Sequence, residues 1–107
     1  AGGTFRSTHD RLAGLAFDLA DPRAAGRDGR VRLVLHATTA VGEPGGERLL
    51  VAEARLASAT PWGDLFVLFD APIPDSRAAY VFTLESDAPL RLRAAGPGAP
   101  AYRLLFR

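Results

Sequence analysis

Residues 64–86 read DLFVLFDAPIPDSRAAYVFTLES and contain two runs of strand-like sequence with a break between them. The first run, 65–69, is densely apolar, and the second, 80–84, alternates large apolar residues with smaller or polar ones. Alternation with a period of two is typical of a half-buried strand. The prolines at 72 and 74 each fix φ and remove a backbone donor, so residues 71–76 can continue neither a central strand nor a helix. The stretch therefore predicts a strand, a turn and a second strand.

The same alternation recurs on both sides of this stretch. Upstream, one run places Leu15, Phe17 and Leu19 on a single face, and a second run does the same at 31–35. A short extended start lies at 4–7, and shorter runs follow downstream at 90–93 and 102–106, with turn-forming breaks between the runs. About eight short strands with no convincing helix predict an all-β chain. We expect one antiparallel β-sandwich, jelly-roll-like, over residues 1–107.

The segment Glu47–Ala59 is ambiguous. Its leucines, alanines, glutamates and arginines favour a helix by propensity. Around a helical wheel, however, residues 49, 50 and 51 point in three directions, so no amphipathic helix results. As a strand, the segment places Leu50, Ala52, Ala54 and Leu56 on one face, and we favour the strand.

Composition excludes several classes of protein. The 107 residues carry 13 arginines against 12 acids, and a net charge of +1 argues against a basic nucleic-acid binder. No apolar run approaches the ~18 residues of a membrane span. The absence of cysteine excludes disulfides, thiolate zinc sites and a cysteine nucleophile within this chain. Because the chain starts Ala1-Gly2-Gly3 without methionine, we expect a piece of a longer protein.

Three aromatic residues and two arginines are the candidate ligand-binding residues. Trp62 lies in a predicted turn, and loops at the ends of sandwiches are where ligands dock, with aromatic faces that stack on sugar rings. Tyr80 and Tyr102 begin predicted strands. The alternative for all three rings is a place in the core. Arg27 and Arg30 flank a turn and could meet the carboxylate or phosphate groups of a glycan; the alternative is an ordinary solvated rim.

The sequence gives less support for a catalytic site or a metal site than for a ligand-binding site. Ser76 and His36 could be imagined with an aspartate as a hydrolytic triad, but Ser76 does not lie on a strand-to-helix elbow. We instead expect its hydroxyl to bond a nearby backbone group and fix the turn. Hard oxygens near the N-terminus could hold a structural calcium ion, although turn and cap roles are the simpler interpretation. The acids concerned are Asp10, Asp18, Asp21 and Asp28.

The packing and turn residues resemble a family of β-sandwich modules. A Leu-x-x-Leu first strand is matched by Leu12 and Leu15, and the closing AYRLLFR resembles the last strand of the module. A corner of the form Phe-x-Pro-Ile-x-x-Ser-x-x-x-Tyr is matched with one extra residue after the phenylalanine. Its matching residues are Phe69, Pro72, Ile73, Ser76 and Tyr80. These modules are galactose-binding-like jelly rolls found in bacterial envelope membrane proteins.

The resemblance implies a function as well as a fold. In that family the module is a soluble, extracytoplasmic part of membrane-bound glycosyltransferase-like or polysaccharide-assembly proteins. We therefore expect a non-catalytic accessory domain without a cofactor, which binds carbohydrate or a neighbouring protein domain while catalysis resides elsewhere in the parent protein. The alternative is a structural protein–protein interaction module that binds no small ligand; a small hydrolase ranks last.

Overall fold

The alternating runs form antiparallel strands in a computed structural model, which describes residues 2–20, 28–88, 90–93 and 102–107. Within these ranges seven strands pack as two sheets, so the predicted all-β sandwich is confirmed. A four-stranded sheet has the order β1-β6-β3-β4, and a three-stranded sheet has the order β5-β2-β7. The strands are β1 (Gly2–Arg6), β2 (Leu12–Asp18), β3 (Arg30–Thr38), β4 (Arg48–Arg55), β5 (Asp64–Ile73), β6 (Ala79–Ser86) and β7 (Tyr102–Phe106).

The first six strands pair as a nested ribbon. Strand β3 pairs with β4, β2 with β5, and β1 with β6, all antiparallel. The ribbon folds over so that β6 also pairs with β3, which leaves β2 and β5 in the opposite sheet, where β7 joins β2. A folded antiparallel ribbon of this kind is the jelly-roll arrangement, here with fewer strands than the usual eight.

One predicted strand is reduced to a single bridge. Residues 90–93 meet the end of β2 only through Leu19 and Leu92, with hydrogen bonds from Ala20 N to Arg91 O (2.9 Å) and from Arg93 N to Asp18 O (2.8 Å). Because β2 ends at Asp18, little strand remains for a longer ladder. The described residues thus form seven strands rather than eight.

The ambiguous segment is extended, as predicted. Residues 48–55 form β4, and a single 3-10 turn follows at Leu56–Ser58. Ala52 and Leu56 are buried, while Leu50 and Ala54 pack against the core from its edge. The inward face of this segment is therefore the face that strand alternation predicts.

The core lies between the two sheets, and every inward-facing set that alternation predicts lies in it or packs against it. Aromatic rings hold its centre: Phe82 lies edge-on to Phe17 at 5.8 Å and to Tyr102 at 4.9 Å between centroids. The buried cluster comprises Phe5, Leu12, Leu15, Phe17, Leu19, Val31, Leu33, Leu35, Ala52, Leu56, Leu65, Val67, Phe69, Tyr80, Phe82 and Leu84.

Ser76 links the β5–β6 turn to the start of β2. Its fully buried hydroxyl accepts a hydrogen bond from Leu12 N (3.1 Å) and donates one to His9 O (2.7 Å). The Ser7 hydroxyl donates to the same His9 carbonyl at 2.9 Å. A backbone-bonding role for Ser76 is thus confirmed, but its partners lie far away in the sequence rather than in its own turn.

Candidate ligand-binding surface

The outward-facing residues of the three-stranded sheet, together with Trp62 at its end, form the surface that we call the outer face. Along β5 the even-numbered residues point outward, and Phe66 and Leu68 are 40% and 58% exposed. The registers of β2 and β7 add further residues to this surface. Its members are Gly14, Ala16, Asp18, Trp62, Asp64, Phe66, Leu68, Arg103 and Leu105.

The turn that carries Trp62 is closed by several hydrogen bonds. Thr60 N donates to Asp64 O (2.9 Å), Gly63 N donates to Thr60 O (2.9 Å), and Asp64 N donates to the Thr60 hydroxyl (2.8 Å). Gly63 has φ +101°, a conformation that glycine adopts without strain. Its carbonyl accepts from Leu19 N at 2.8 Å, which fastens the turn to the end of β2. The backbone beneath the indole is therefore held firmly.

The Trp62 side chain is both exposed and oriented. It is 66% exposed, so the alternative that it fills the core is wrong. Its indole Nε1–H donates a 2.7 Å hydrogen bond to Oδ2 of Asp64. This bond restricts the rotation of the ring while most of its surface stays in solvent. An oriented aromatic surface loses little conformational entropy when a ligand stacks on it.

Arg103 reaches the same carboxylate from the other edge of the sheet. Its guanidinium donates to Oδ1 of Asp64 at 3.2 Å, although β7 and β5 are separated by β2 and so lie about 10 Å apart. The Arg103 side chain must therefore cross Ala16, its register partner on β2. Ala16 faces outward and yet is fully buried, with Arg103 opposite it on one side and Phe66 on the other. A small residue at position 16 leaves room for this crossing.

A second ion pair lies beside the first. Asp18 is the direct register partner of Asp64, and its Oδ1 lies 3.4 Å from a guanidinium nitrogen of Arg93. Like charges directly opposite each other destabilise a sheet, and the arginines offset this repulsion. Because all four groups are at least partly exposed, their net stabilisation is small. We call Asp18, Asp64, Arg93 and Arg103 the polar cluster; it holds two negative and two positive charges.

The other half of the outer face is apolar. Leu68 and Leu105 flank Gly14 in the register of the sheet. A Cβ on Gly14 would clash with the Val67 carbonyl oxygen, so no other residue fits there without displacing β5. Because Gly14 has no side chain, the surface is recessed between the two leucines, beside Phe66. The outer face thus joins an aromatic and polar end to an apolar end.

Tyr80 and Tyr102 do not lie on this surface. Tyr80 is 3% exposed and packs on Phe5 at 5.5 Å between centroids. Burial, with a smaller contribution from Asp75, raises its pKa. Tyr102 is half-buried against the core rings and donates its hydroxyl hydrogen to Thr4 O at 3.1 Å, and burial raises its pKa as well. Tyr80 thus belongs to the core and Tyr102 packs against it, as the alternative interpretation had it.

The predicted arginine cluster lies elsewhere. Arg30 begins β3 in the four-stranded sheet, opposite Arg55, and its backbone N donates to Oδ1 of Asp87 at 2.7 Å. With Asp28, these residues line a surface cavity of about 270 Å³. Arg27 lies outside the described residues. The structure therefore does not bring Arg30 and Trp62 into one site.

Among the described residues, the fold does not bring the candidate catalytic residues or the candidate metal ligands together. His36 Nδ1 lies 3.2 Å from Gly46 O, and the Ser76 hydroxyl is occupied by its two backbone partners. No group of three or more histidine or acidic side chains that could hold a metal forms among the described residues. The calcium candidates that the structure describes do not share one site. Asp10 pairs with Arg77 at 3.5 Å, and Asp18 belongs to the polar cluster. Asp28 lines the Arg30 cavity, and Asp21 lies outside the described ranges.

Sequence reasoning missed the partners of Trp62. Asp64 could have been found, because it lies at the end of the predicted turn and shares the strand phase of Phe66 and Leu68. Arg93 and Arg103 could not, because their proximity to the acids depends on strand order and register.

The chain was compared with protein-family models, curated proteins and solved structures, and none of the three comparisons gives a match. The envelope-module resemblance therefore stays a prediction. The described residues also contain no helix that could cross a membrane.

Proposed function

We propose that this chain is a non-catalytic accessory module that binds carbohydrate at Trp62. The observation that supports this most is an indole two-thirds exposed to solvent and yet held by a 2.7 Å hydrogen bond on a closed turn. Burial usually stabilises a tryptophan, so exposure of one that is already oriented favours a binding role. The apolar C–H face of a sugar ring is a suitable partner for such a surface.

Polar groups beside the indole support the same ligand class. The Asp64 carboxylate accepts from Trp62, and Arg103 keeps unused N–H donors because its guanidinium has five. Each sugar hydroxyl both donates and accepts a hydrogen bond. A carboxylate and a guanidinium side by side can therefore satisfy neighbouring hydroxyls of one ring.

The proposed setting follows from the resemblance. The module would be an extracytoplasmic part of a bacterial envelope membrane protein of the glycosyltransferase-like or polysaccharide-assembly kind. Sugar binding here would hold a glycan near a catalytic unit in the parent protein.

The test is a two-dimensional NMR titration of the folded chain with neutral cell-envelope saccharides, followed at the Trp62 indole N–H. We expect saturable shifts at Trp62 and its neighbours. Trp62→Ala should weaken binding about tenfold or more, as the loss of a dominant aromatic contact does. Leu49→Ala, an exposed apolar residue of the other sheet, is the control and should bind as the wild type does. A folded chain with no shift for any saccharide refutes the proposal.

A second candidate function is binding of a neighbouring protein domain. The apolar end of the outer face favours it, because Phe66 and Leu68 are exposed side by side along one strand. Leu68→Glu separates the two functions: a charge there should abolish an apolar protein contact and leave saccharide binding at Trp62 intact. Loss of saccharide binding in Leu68→Glu would show that the separation of the two ends is wrong.

A further inference from the structure

We infer that the polar cluster makes the Trp62 site selective for neutral sugars over anionic ones such as uronic acids, an inference that rests on the proposed carbohydrate-binding function. The arginines singled out in the sequence, Arg27 and Arg30, would instead suggest contacts with acidic glycans. The arrangement of charges beside the indole reverses that expectation.

The arginines near Trp62 are already paired with carboxylates. Arg103 is bonded to Asp64 at 3.2 Å, and Arg93 lies 3.4 Å from Asp18. The two carboxylates are direct register partners, so Asp18 lies beside Asp64, which accepts the hydrogen bond from the Trp62 indole. A ligand carboxylate that approached either arginine would also approach Asp18 or Asp64. Its attraction to one charge would be offset by repulsion from the other.

Neutral hydroxyls meet no such conflict. The Asp64 side chain is 24% exposed, and that of Arg103 is 62% exposed, so both remain open to a ligand. One hydroxyl of a vicinal pair can donate to the carboxylate while its neighbour accepts from the guanidinium. Hydrogen bonds to charged groups are the stronger kind, and here they need no net charge on the ligand. The ligand class is therefore a neutral pyranose with adjacent free hydroxyls.

The test compares methyl glucoside, methyl galactoside and methyl mannoside with sodium glucuronate at equal, low ionic strength, again at the Trp62 indole N–H. At least one neutral glycoside should bind the wild type about tenfold more tightly than glucuronate. Asp64→Asn keeps a carbonyl acceptor for the indole but leaves Arg103 without its counter-charge. We expect its affinity ratio to shift about tenfold toward glucuronate.

Two further variants test whether the Asp64–Arg103 pair, rather than net charge, causes the selectivity. Arg103→Gln leaves Asp64 unpaired and should shift the ratio the opposite way. Asp70→Asn removes an exposed charge on the same face of β5, where no side-chain partner occurs among the described residues, and should leave the ratio unchanged. The Asp70 variant thus controls for net charge alone.

The outcomes separate this inference from the proposed function. Glucuronate binding as tightly as the best neutral glycoside in the wild type would overturn the inference and leave carbohydrate binding in place. An unchanged ratio in both Asp64→Asn and Arg103→Gln would also overturn it. No shift with any of the four saccharides would refute the proposed function itself.

Discussion

Replacement of Ser76 by alanine should destabilise this fold strongly for the loss of a single oxygen atom. The hydroxyl is fully buried, accepts from Leu12 N and donates to His9 O. Without it, the buried Leu12 N–H loses the hydroxyl to which it donates, at a cost of ~1–3 kcal/mol. His9 O keeps its bond from Ser7, so the second loss is smaller, ~0.5–1.5 kcal/mol. The sum is ~1.5–4.5 kcal/mol, a large part of the ~5–15 kcal/mol that a domain has in total.

The assay is equilibrium unfolding in urea at neutral pH, fitted to two states. With a slope of ~2 kcal/mol per molar urea, the middle of the usual range, the midpoint should fall by ~1–2 M, while the slope stays constant. Ser58→Ala is the matched control, because its exposed hydroxyl donates to Arg55 O at 2.7 Å on the 3-10 turn. Its cost should stay within ~0.5 kcal/mol.

A double-mutant cycle with Ser7→Ala tests the shared acceptor. Each single variant leaves His9 O with one hydroxyl donor, and the double variant leaves it with none. The double loss should therefore exceed the sum of the single losses by ~0.5 kcal/mol or more. A cost below ~0.5 kcal/mol for Ser76→Ala, or strict additivity in the cycle, would refute the hydrogen-bond argument.

Three other predictions concern the core and the sheet. Phe17→Ala should cost ~3–5 kcal/mol in the same urea assay because the ring is fully buried; a cost under ~1 kcal/mol would contradict its placement. Gly14→Ala should cost ~1–3 kcal/mol, because its Cβ would meet Val67 O, and an unchanged urea midpoint would show that β5 yields freely. Burial raises the pKa of Tyr102 in the folded state, so the unfolded chain loses the phenol proton at a lower pH than the folded chain does. The stability of the fold should therefore fall as the pH rises past the ordinary tyrosine pKa of ~10. Thermal melts at about pH 8 and about pH 11 should show a smaller loss for Tyr102→Phe than for the wild type, and an equal loss would contradict this origin.

The fold could be predicted in outline because period-two alternation has one simple interpretation. Phe17 lies between Ala16 and Asp18, and only a strand turns such a pattern into one buried and one outer side. For residues 48–55 the helical wheel gave no single apolar face, and this result correctly favoured a strand. The pairing of β1 with β6 left no trace in the sequence, because it depends on how the ribbon folds over.

The candidate site was predicted less well, for physical reasons. Tyr80 was a candidate for ligand binding, but it shares the period-two phase of Phe82, and this phase favours the core position that it occupies. Trp62 was ambiguous because a tryptophan before an apolar run fits the core equally well, and Asp64 decides the matter by giving the indole N–H a partner at the surface. The contact of Arg103 with Asp64 across Ala16 depends on the order of the strands in the sheet, and the sequence pattern does not give that order.

The nested ribbon sets an order in which the chain can fold. Its registers join Val34 to Val51, Leu15 to Val67 and Thr4 to Val81, so each pair encloses the one before it. Closing a loop costs more entropy as it lengthens, so the β3–β4 hairpin is the cheapest place to start and β1 has no strand partner until β6 exists. On a ribosome, β1 would therefore wait for most of the chain to be synthesised. A truncation just before β6 would leave Phe5 without its aromatic neighbours and the N-terminal strand free to pair with another molecule.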